Sequence, residues 1–168
     1  QKAVDAMIHD GLWDPYGDSH MGNFGDLCAR EHSFSREEQD AFSKASYERA
    51  IAAQKKGYFN DEICPVEIKS RKGSHTVDTD EEPSRYNPER MPSLRPAFAK
   101  DGTITAANAS KIDDGAACVI LMSRDAAEKR GCHILATITA DGTFAQDPEW
   151  FTTAPAGAIT RASERAGL

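Results

Sequence analysis

Long apolar runs are absent from this sequence, which argues against a membrane-spanning helix. The longest hydrophobic stretch, residues 116–122, is far shorter than the roughly 20 residues that a helix needs to cross a bilayer. The first residues also lack the charged and apolar regions of a signal peptide. We therefore expect a soluble chain with no membrane partner. Its expected location is the cytoplasm, or an organelle matrix if a targeting signal precedes Gln1.

Positive charge is also in short supply. The chain has 20 Lys and Arg against 27 Asp and Glu, which gives a formal net charge of -7. This balance argues against binding nucleic acid or an anionic membrane through overall electrostatics, because both carry negative charge. An anionic ligand must therefore be bound by a local group of cations. One region supplies such a group, which consists of Lys69, Arg71, Lys72, Arg85, Arg90 and Arg95.

Paired cysteines and other metal-binding patterns are missing too. The four cysteines form no CxxC pair and no Cys/His spacing suited to zinc. The acidic stretch at residues 78–82 lacks the glycine that a calcium loop requires at its sixth position. We therefore predict a reduced protein without a metal site.

Capping residues and helical spacing predict four helices. Apolar residues at helical spacing indicate the first helix. A capping box formed by Ser35 and Glu38 begins the second, and Gly57 ends it. Ser123 is the predicted cap of the third. The predicted helices are residues 23–31, 35–57, 123–131 and 155–166.

Branched residues and turns predict the strands. A hairpin is expected between residues 62 and 80, with its turn at Lys72 and Gly73. Further strands are predicted at residues 103–105, 116–122 and 133–142. Four prolines between residues 83 and 96 leave room for one short helical turn but for no long element. The alternation of strands with helices favours an α/β fold in which helices cover a sheet.

Three blocks of the sequence carry a family resemblance. They are MIHDGLWDPYGDSHMG at residues 7–22, the segment from SREEQ to PVEI at residues 35–68, and LRPAFAKDGTITAANASKIDDGAA at residues 94–117. In this order they resemble the loop-domain entrance, a helix-then-strand block and the return into the core domain of the thiolases. Within the third block, NASKIDDGAA at residues 108–117 resembles the signature loop of that family. Thiolases condense or cleave acyl groups carried on coenzyme A.

The resemblance covers essentially the whole chain and implies its organisation. It implies a thiolase-like α/β fragment of mixed helices and strands. Residues 1–107 would form a mostly helical loop domain that covers the coenzyme A site. Residues 108–131 would return into the N-terminal core domain, and residues 132–168 would start the C-terminal core domain.

The resemblance also implies a binding site for coenzyme A thioesters, with no further cofactor. His20 and Met21 would line the pantetheine tunnel, with Leu12 close to the same substrate. Arg85, or a neighbour, would lie near the adenosine phosphates, and Ser110 would face the pantetheine amides. The pocket would be completed by Ala97, Phe98 and Ala106.

The residue types suit this ligand, although each has an ordinary structural alternative. Phosphates need cations, and the pantetheine arm needs apolar contacts with a few hydrogen bonds. A methionine before a helix is usually part of a core, a loop serine is usually a cap, and Arg85 can be a plain surface charge. Lys111 departs from the family pattern, because this position often holds a smaller residue. It adds a charge beside the pocket mouth.

The catalytic motifs of the family are absent. The sequence has no helix-opening cysteine in a glycine-rich setting, no NEAF, no GHP and no late cysteine flanked by glycines. Without an activated thiolate or its base, covalent acyl transfer has no carrier. We predict that this chain alone is inactive, and that the full-length protein is an acyltransferase of the acetyl-CoA C-acetyltransferase type. The alternative is a noncatalytic coenzyme A or lipid-binding module on the same fold.

The resemblance further implies a homo-oligomer, either a dimer or a tetramer. The apolar residues 116–122 agree with this, because such a strand needs neighbours to cover it.

Overall fold

Residues 3–168 are described in a computed structural model of the chain, and they fall into two compact units. The central unit is Gly25–Lys111. The terminal unit combines the described part of Gln1–Phe24 with Ile112–Leu168. Among the described residues, no helix is long and apolar enough to cross a membrane.

All four predicted helices are present. They are α1 (Met21–Glu31), α2 (Arg36–Lys55), α3 (Arg124–Lys129) and α4 (Ala154–Ala166). The predicted caps also form, since the Ser35 hydroxyl accepts from the backbone N–H of Glu38 at 3.1 Å and the Ser123 hydroxyl accepts from that of Ala126 at 3.3 Å. The capping residues therefore predicted the starts of these two helices correctly.

The predicted hairpin forms from β3 (Val66–Ser70) and β4 (Gly73–Val77), which are antiparallel. Ser70 pairs with Gly73, so the turn is Arg71 and Lys72, one residue earlier than predicted. Gly73 has φ +123, a backbone conformation that only glycine adopts without strain. The glycine therefore begins the second strand, and the turn ends before it.

A short ladder positions the start of α1 in the terminal unit. A π-helical segment, Met7–Leu12, leads into β1 (Trp13–Asp14), which pairs antiparallel with β2 (Ser19–His20). The buried carboxylate of Asp14 accepts a hydrogen bond from the N–H of Gly17 at 2.5 Å, which tightens the turn between the strands. The ladder therefore ends at His20, directly before α1.

The proline-rich segment contains two short 3-10 helices, where the sequence predicted one helical turn. They are Glu82–Arg85 and Met91–Ser93, and each has a proline in its first turn. A proline is tolerated there because the first backbone N–H groups of a helix have no intrahelical partner. The two turns place Pro83 and Met91 in the core of the central unit.

Three predicted strands were wrong for the described residues. Residues 103–105 form a loop, because side chains bind their backbone N–H groups: Asp26 Oδ1 accepts from Thr103 at 2.8 Å and Asn108 Oδ1 accepts from Thr105 at 2.7 Å. Residues 116–122 and 133–142 are not strands, because no described strand pairs with them. A strand needs a partner ladder.

The predicted layered sheet is consequently not formed by the described residues, whose only sheets are two antiparallel two-stranded ladders. The apolar side chains of residues 116–122 are exposed in this 168-residue chain. Val119 is 79% exposed, Ile120 82% and Leu121 72%. This exposure agrees with the expectation that the segment needs neighbours to cover it.

Candidate functional site

A buried carboxylate on α1 organises the loop that precedes the signature segment. Asp26 accepts backbone hydrogen bonds from Thr103 at 2.8 Å and Ile104 at 3.2 Å, and a longer one from Ala99 at 3.4 Å. A Cβ on Gly102 would overlap this carboxylate, so the loop closes tightly around it. Asp26 therefore fixes the backbone of residues 99–104.

Two predicted site residues lie at the start of that loop. The N–H of Ala97 donates to the carbonyl of Ile104 at 2.8 Å, which joins the two ends of the loop. Ala97 and Phe98 are exposed, and Phe98 retains 37% of its surface. Their position thus depends on the same loop that Asp26 holds.

Asn108 holds the signature segment from within. Its amide donates to Asp40 Oδ1 at 2.9 Å and to the carbonyl of Thr103 at 3.0 Å, and its Oδ1 accepts from the N–H of Thr105 at 2.7 Å. Thr105 is fully buried, and its hydroxyl accepts from the N–H of Ala107 at 3.2 Å. These bonds define the backbone from Thr105 onward.

An arginine on the first turn of α2 extends this network to the second 3-10 helix. Arg36 donates from Nε to Asp40 Oδ2 at 2.8 Å, and from its two terminal nitrogens to the carbonyls of Leu94 at 3.1 Å and Met91 at 2.8 Å. The side chains of Arg36 and Asp40 are only 19% and 14% exposed. Arg36, Asp40 and Asn108 therefore form one half-buried chain of hydrogen bonds, which we call the Asn108 network.

A groove of about 460 Å³ opens beside this network in the central unit. Its walls include two predicted site residues, Arg85 and Ala106. The other residues that matter for its chemistry are Tyr47, Glu82, Tyr86, Arg90 and Lys111. Apolar side chains, including Met91 and Leu94, also line the groove. A ligand with an apolar arm and phosphates requires both apolar contacts and cations.

The carboxylate of Glu82 contacts three polar side chains of the groove. Its Oε1 accepts from the hydroxyl of Tyr47 at 3.0 Å and lies 3.2 Å from Lys111 Nζ. Its Oε2 lies 3.6 Å from an Arg85 nitrogen. Arg85 also pairs with Glu81 at 3.0 Å, so two carboxylates balance its charge.

These contacts shift three pKa values. Burial alone would raise the pKa of Glu82, but the hydrogen bonds from Lys111 and Tyr47 lower it below its ordinary value. Burial alone would lower the pKa of Lys111, but the bonds to Glu82 and Tyr47 raise it. The pKa of Tyr47 is raised, first by burial and then by its bond to Glu82. Glu82 and Lys111 are therefore charged and Tyr47 is neutral at neutral pH.

Arg90 differs from Arg85, because it forms no ion pair with any described carboxylate. Among the cations that line the groove, Arg90 is therefore the one whose positive charge no described carboxylate balances. The nearby ring of Tyr86 stacks on Tyr47 with centroids 4.8 Å apart, and its buried hydroxyl has no hydrogen-bond partner among the described residues. Of these two side chains, exposed Arg90 is the one that offers donors to a ligand.

The remaining predicted residues lie in two places. Ser110 is exposed, next to Lys111 at the end of the central unit. Leu12, His20 and Met21 lie in the terminal unit, where Leu12 and His20 are half-buried and Met21 is 36% exposed. His20 Nδ1 accepts from the N–H of Gly22 at 3.0 Å, so a neutral imidazole carries its proton on Nε2. The roles of these residues stay predictions.

Sequence reasoning did not identify the residues that shape the site. Asp26, Arg36, Asp40 and Asn108 were not among the predicted site residues. The spacing of Arg36 and Asp40, four residues apart on a helix, was a readable sign of an ion pair. Asp26 and Asn108 gave no such sign, because the loop that Asp26 binds and the Asp40 carboxylate that Asn108 binds lie 68 or more residues away.

Among the described residues, no group of His, Cys, Asp or Glu could hold a metal ion, and all four cysteines are free.

A family model for the thiolase N-terminal domain matches residues 1–125, which is most of the chain. The chain belongs to the thiolase family. It is 46% identical to an acetyl-CoA acetyltransferase of Yarrowia lipolytica over 168 residues, which cover 100% of this chain and 42% of that protein. It is 49% identical to an acetyl-CoA acetyltransferase of Paracoccus denitrificans, over 99% of this chain and 43% of that protein.

Solved thiolase structures share the fold. Acat5 thiolase from Ascaris suum, solved in complex with coenzyme A, is 38% identical with a TM-score of 0.91, covering 100% of this chain and 43% of that one. Human mitochondrial 3-ketoacyl-CoA thiolase is 38% identical with a TM-score of 0.90, covering 98% of this chain and 42% of that one. The predicted fold class, a thiolase-like fragment of mixed helices and strands, is confirmed.

This thiolase chain spans less than half the length of these relatives. That share confirms the prediction of a partial thiolase. The domain boundaries after residues 107 and 131 stay predictions.

Proposed function

We propose that the complete protein is an acetyl-CoA C-acetyltransferase and that this chain supplies coenzyme A binding. The observation that carries the proposal is the groove in the central unit, in which apolar walls and cations meet beside the signature segment. It occurs in a chain that is similar over its full length to a thiolase solved with coenzyme A. Relatives at 46% and 49% identity are acetyl-CoA acetyltransferases.

In this proposal the cations bind the phosphates of coenzyme A. Arg90 is the stronger candidate, because no described carboxylate balances its charge. Arg85 makes a weaker contact, because ion pairs with Glu81 and Glu82 already engage it. A guanidinium suits phosphate oxygens since it can donate two parallel hydrogen bonds.

The pantetheine arm contacts small and apolar side chains of the central unit. Ala97, Phe98 and Ala106 are exposed, so they can contact a ligand without any rearrangement of the core. The hydroxyl of Ser110 is also exposed and can bind an amide of the arm. The family resemblance supports including Leu12, His20 and Met21 among the residues proposed to contact coenzyme A.

The chemistry belongs to the complete protein. We propose ping-pong acyl transfer, in which a cysteine thiolate outside this chain attacks the thioester carbonyl and takes the acyl group, and coenzyme A leaves as the thiol. A second step forms or breaks a carbon–carbon bond by Claisen chemistry. This chain binds and orients the thioester, which contributes to rate by holding the reacting carbonyl in place.

An activity assay tests the proposal. The protein is produced from its complete coding sequence, and thiolysis of acetoacetyl-CoA is measured together with coenzyme A binding. We expect both turnover and binding. Binding without turnover would support the alternative, a noncatalytic coenzyme A or lipid-binding module, and the absence of both would contradict either function. The 168-residue chain alone should show no turnover.

We also propose that the complete protein is a homo-oligomer, a dimer or a tetramer, in the cytoplasm or an organelle matrix. Exposure of Val119, Ile120 and Leu121 supports the need for a covering surface. Light scattering of the complete protein tests the assembly, and a monomer would contradict it.

A further inference from the structure

We propose that Lys111 is a positioning residue for the coenzyme A pocket. Its ammonium group ties the carbonyl of Ala106 to the carboxylate of Glu82, and so fixes the segment of residues 106–111 in the shape that accepts the ligand. This inference rests on the proposed coenzyme A site and adds to it a residue that acts through the backbone.

The contact of Lys111 with Ala106 closes a small ring within the chain. Lys111 lies five residues after Ala106, and its Nζ donates to that carbonyl. Ala106 and Ser110, two of the predicted site residues, lie inside this ring. A change in the position of Lys111 therefore moves both of them.

Glu82 gives the ring a fixed anchor outside the segment. Glu82 Oε1 also accepts from the hydroxyl of Tyr47 on α2 at 3.0 Å. Tyr47 in turn stacks on Tyr86, with ring centroids 4.8 Å apart and planes 11° from parallel. The side chain of Glu82 is 18% exposed and that of Lys111 is 27% exposed, so water weakens this contact less than it weakens a surface ion pair.

Ser110 and Lys111, the last two residues of the segment, have few other restraints. The N–H groups of Asn108 and Ala109 both donate to the carbonyl of Thr105, at 3.3 and 2.9 Å, which holds the first half. The Ser110 hydroxyl makes no hydrogen bond with any described residue. Lys111 therefore supplies the tie that holds the end of the segment.

The charge of Lys111 is engaged, which distinguishes it from a phosphate ligand. Its Nζ lies 3.2 Å from Glu82 Oε1, so the pair is nearly neutral towards the groove. Loss of the ammonium would have two effects, because the segment would lose its tie and the Glu82 carboxylate would repel an anionic ligand. These effects are separable with paired variants.

The experiment measures the KM for acetoacetyl-CoA and kcat in the complete protein. Lys111→Met keeps an unbranched side chain one atom shorter and removes its charge. It should raise KM about tenfold with kcat changed less than about twofold, the scale of one lost charge-assisted hydrogen bond. Lys111→Arg, which keeps a donor, should recover most of the loss. Lys129→Met, an exposed lysine on α3, is the control and should leave KM unchanged.

The double variant Lys111→Met with Glu82→Gln separates the tie from repulsion. If Lys111 positions the segment, the double variant keeps a raised KM, because neutralising Glu82 does not restore the contact with Ala106. Return of KM to the parent value in the double variant would overturn the proposal, and so would an unchanged KM in Lys111→Met.

Hydrogen exchange of residues 106–111 gives a readout that does not depend on coenzyme A. These amides should exchange faster in Lys111→Met than in the parent protein. In Lys111→Arg they should exchange at the parent rate. Unchanged exchange in Lys111→Met would overturn the positioning role. Failure of the parent protein to bind coenzyme A would overturn the proposed function instead, so the two failures are distinguishable.

Discussion

The side-chain amide of Asn108 donates a 2.9 Å hydrogen bond to Asp40 Oδ1 on α2, across 68 residues of sequence. Asp40 in turn accepts from Arg36, whose other donors bind the carbonyls of Met91 and Leu94. The signature segment is therefore held by α2, whose Asp40 lies 68 residues earlier in the sequence than Asn108. In the proposed function, coenzyme A binding depends on this support as well as on the residues that line the groove.

Asn108→Ala should destabilise the complete protein by about 1–3 kcal/mol, because it leaves the N–H of the fully buried Thr105 without its acceptor. Urea unfolding measures the change. Asn60→Ala, at an exposed loop position, is the matched control and should change stability by less than about 0.5 kcal/mol. Equal effects of the two substitutions would contradict the role of the Asn108 network.

Asp26→Asn should cost about 2–3 kcal/mol and raise the KM for acetoacetyl-CoA. The carboxylate accepts three backbone N–H groups, whereas an amide has one acceptor oxygen and presents donors to the rest. The loop that carries Ala97 and Phe98 would then loosen. Asp61→Asn, on an exposed loop, is the control. Unchanged stability in Asp26→Asn would show that the loop is held by other contacts.

Glu82 makes stability depend on pH in a defined direction. Its folded pKa is lowered, so its stabilising contribution is present above the ordinary value of 4.5 and is lost as the pH falls through the folded pKa. The parent protein should therefore exceed Glu82→Gln in stability at neutral pH, and the difference should shrink in acid below about pH 4.5. Urea unfolding at a series of pH values tests this. A difference that is constant with pH would refute the ion pair.

At alkaline pH, the dependence of stability on pH has the opposite sign. The folded pKa values of Tyr47 and Lys111 are raised, so their contributions are present below the ordinary values of 10.0 and 10.5 and are lost as the pH rises through the folded pKa values. Tyr47→Phe should therefore lose stability relative to the parent at neutral pH, with a difference that narrows above about pH 10. Unfolding measured between pH 8 and 11 should show this narrowing, and parallel curves would count against it.

Arg90→Ala should raise the KM for acetoacetyl-CoA more than Arg85→Ala does. We expect about a tenfold effect for Arg90 and about twofold for Arg85, because carboxylates already engage Arg85 and do not engage Arg90. The Arg90 effect should also weaken in high salt, since salt screens the phosphate contact. A larger effect at Arg85 would reverse this assignment.

Local signals explain which parts of the fold could be predicted. Ser35 and Ser123 cap the starts of helices α2 and α3, and each cap bonds a backbone N–H only three positions later. The hairpin was likewise set by neighbours in sequence. Residues 116–122 read as a strand, but a strand exists only with a hydrogen-bonded partner, and the described residues supply none.

Some features of the site could likewise be predicted from the sequence and others could not. The resemblance pointed to Arg85 and Ala106, and both line the groove. It could not point to the contact between Lys111 and Glu82 or to that between Asn108 and Asp40, because each joins positions far apart in sequence. Lys111 was visible only as a departure from the family pattern, and its partner was visible only in the structure.

Calorimetric titration with coenzyme A, using the complete protein and two variants of equal bulk, tests whether coenzyme A binds in the groove. Ala106→Trp fills the groove, whereas Ala41→Trp places the same ring on an exposed position of α2. We predict that the parent and Ala41→Trp bind coenzyme A alike and that Ala106→Trp binds at least about tenfold more weakly, a loss of about 1.4 kcal/mol. Equal affinity in all three proteins would contradict the assignment of coenzyme A to this groove.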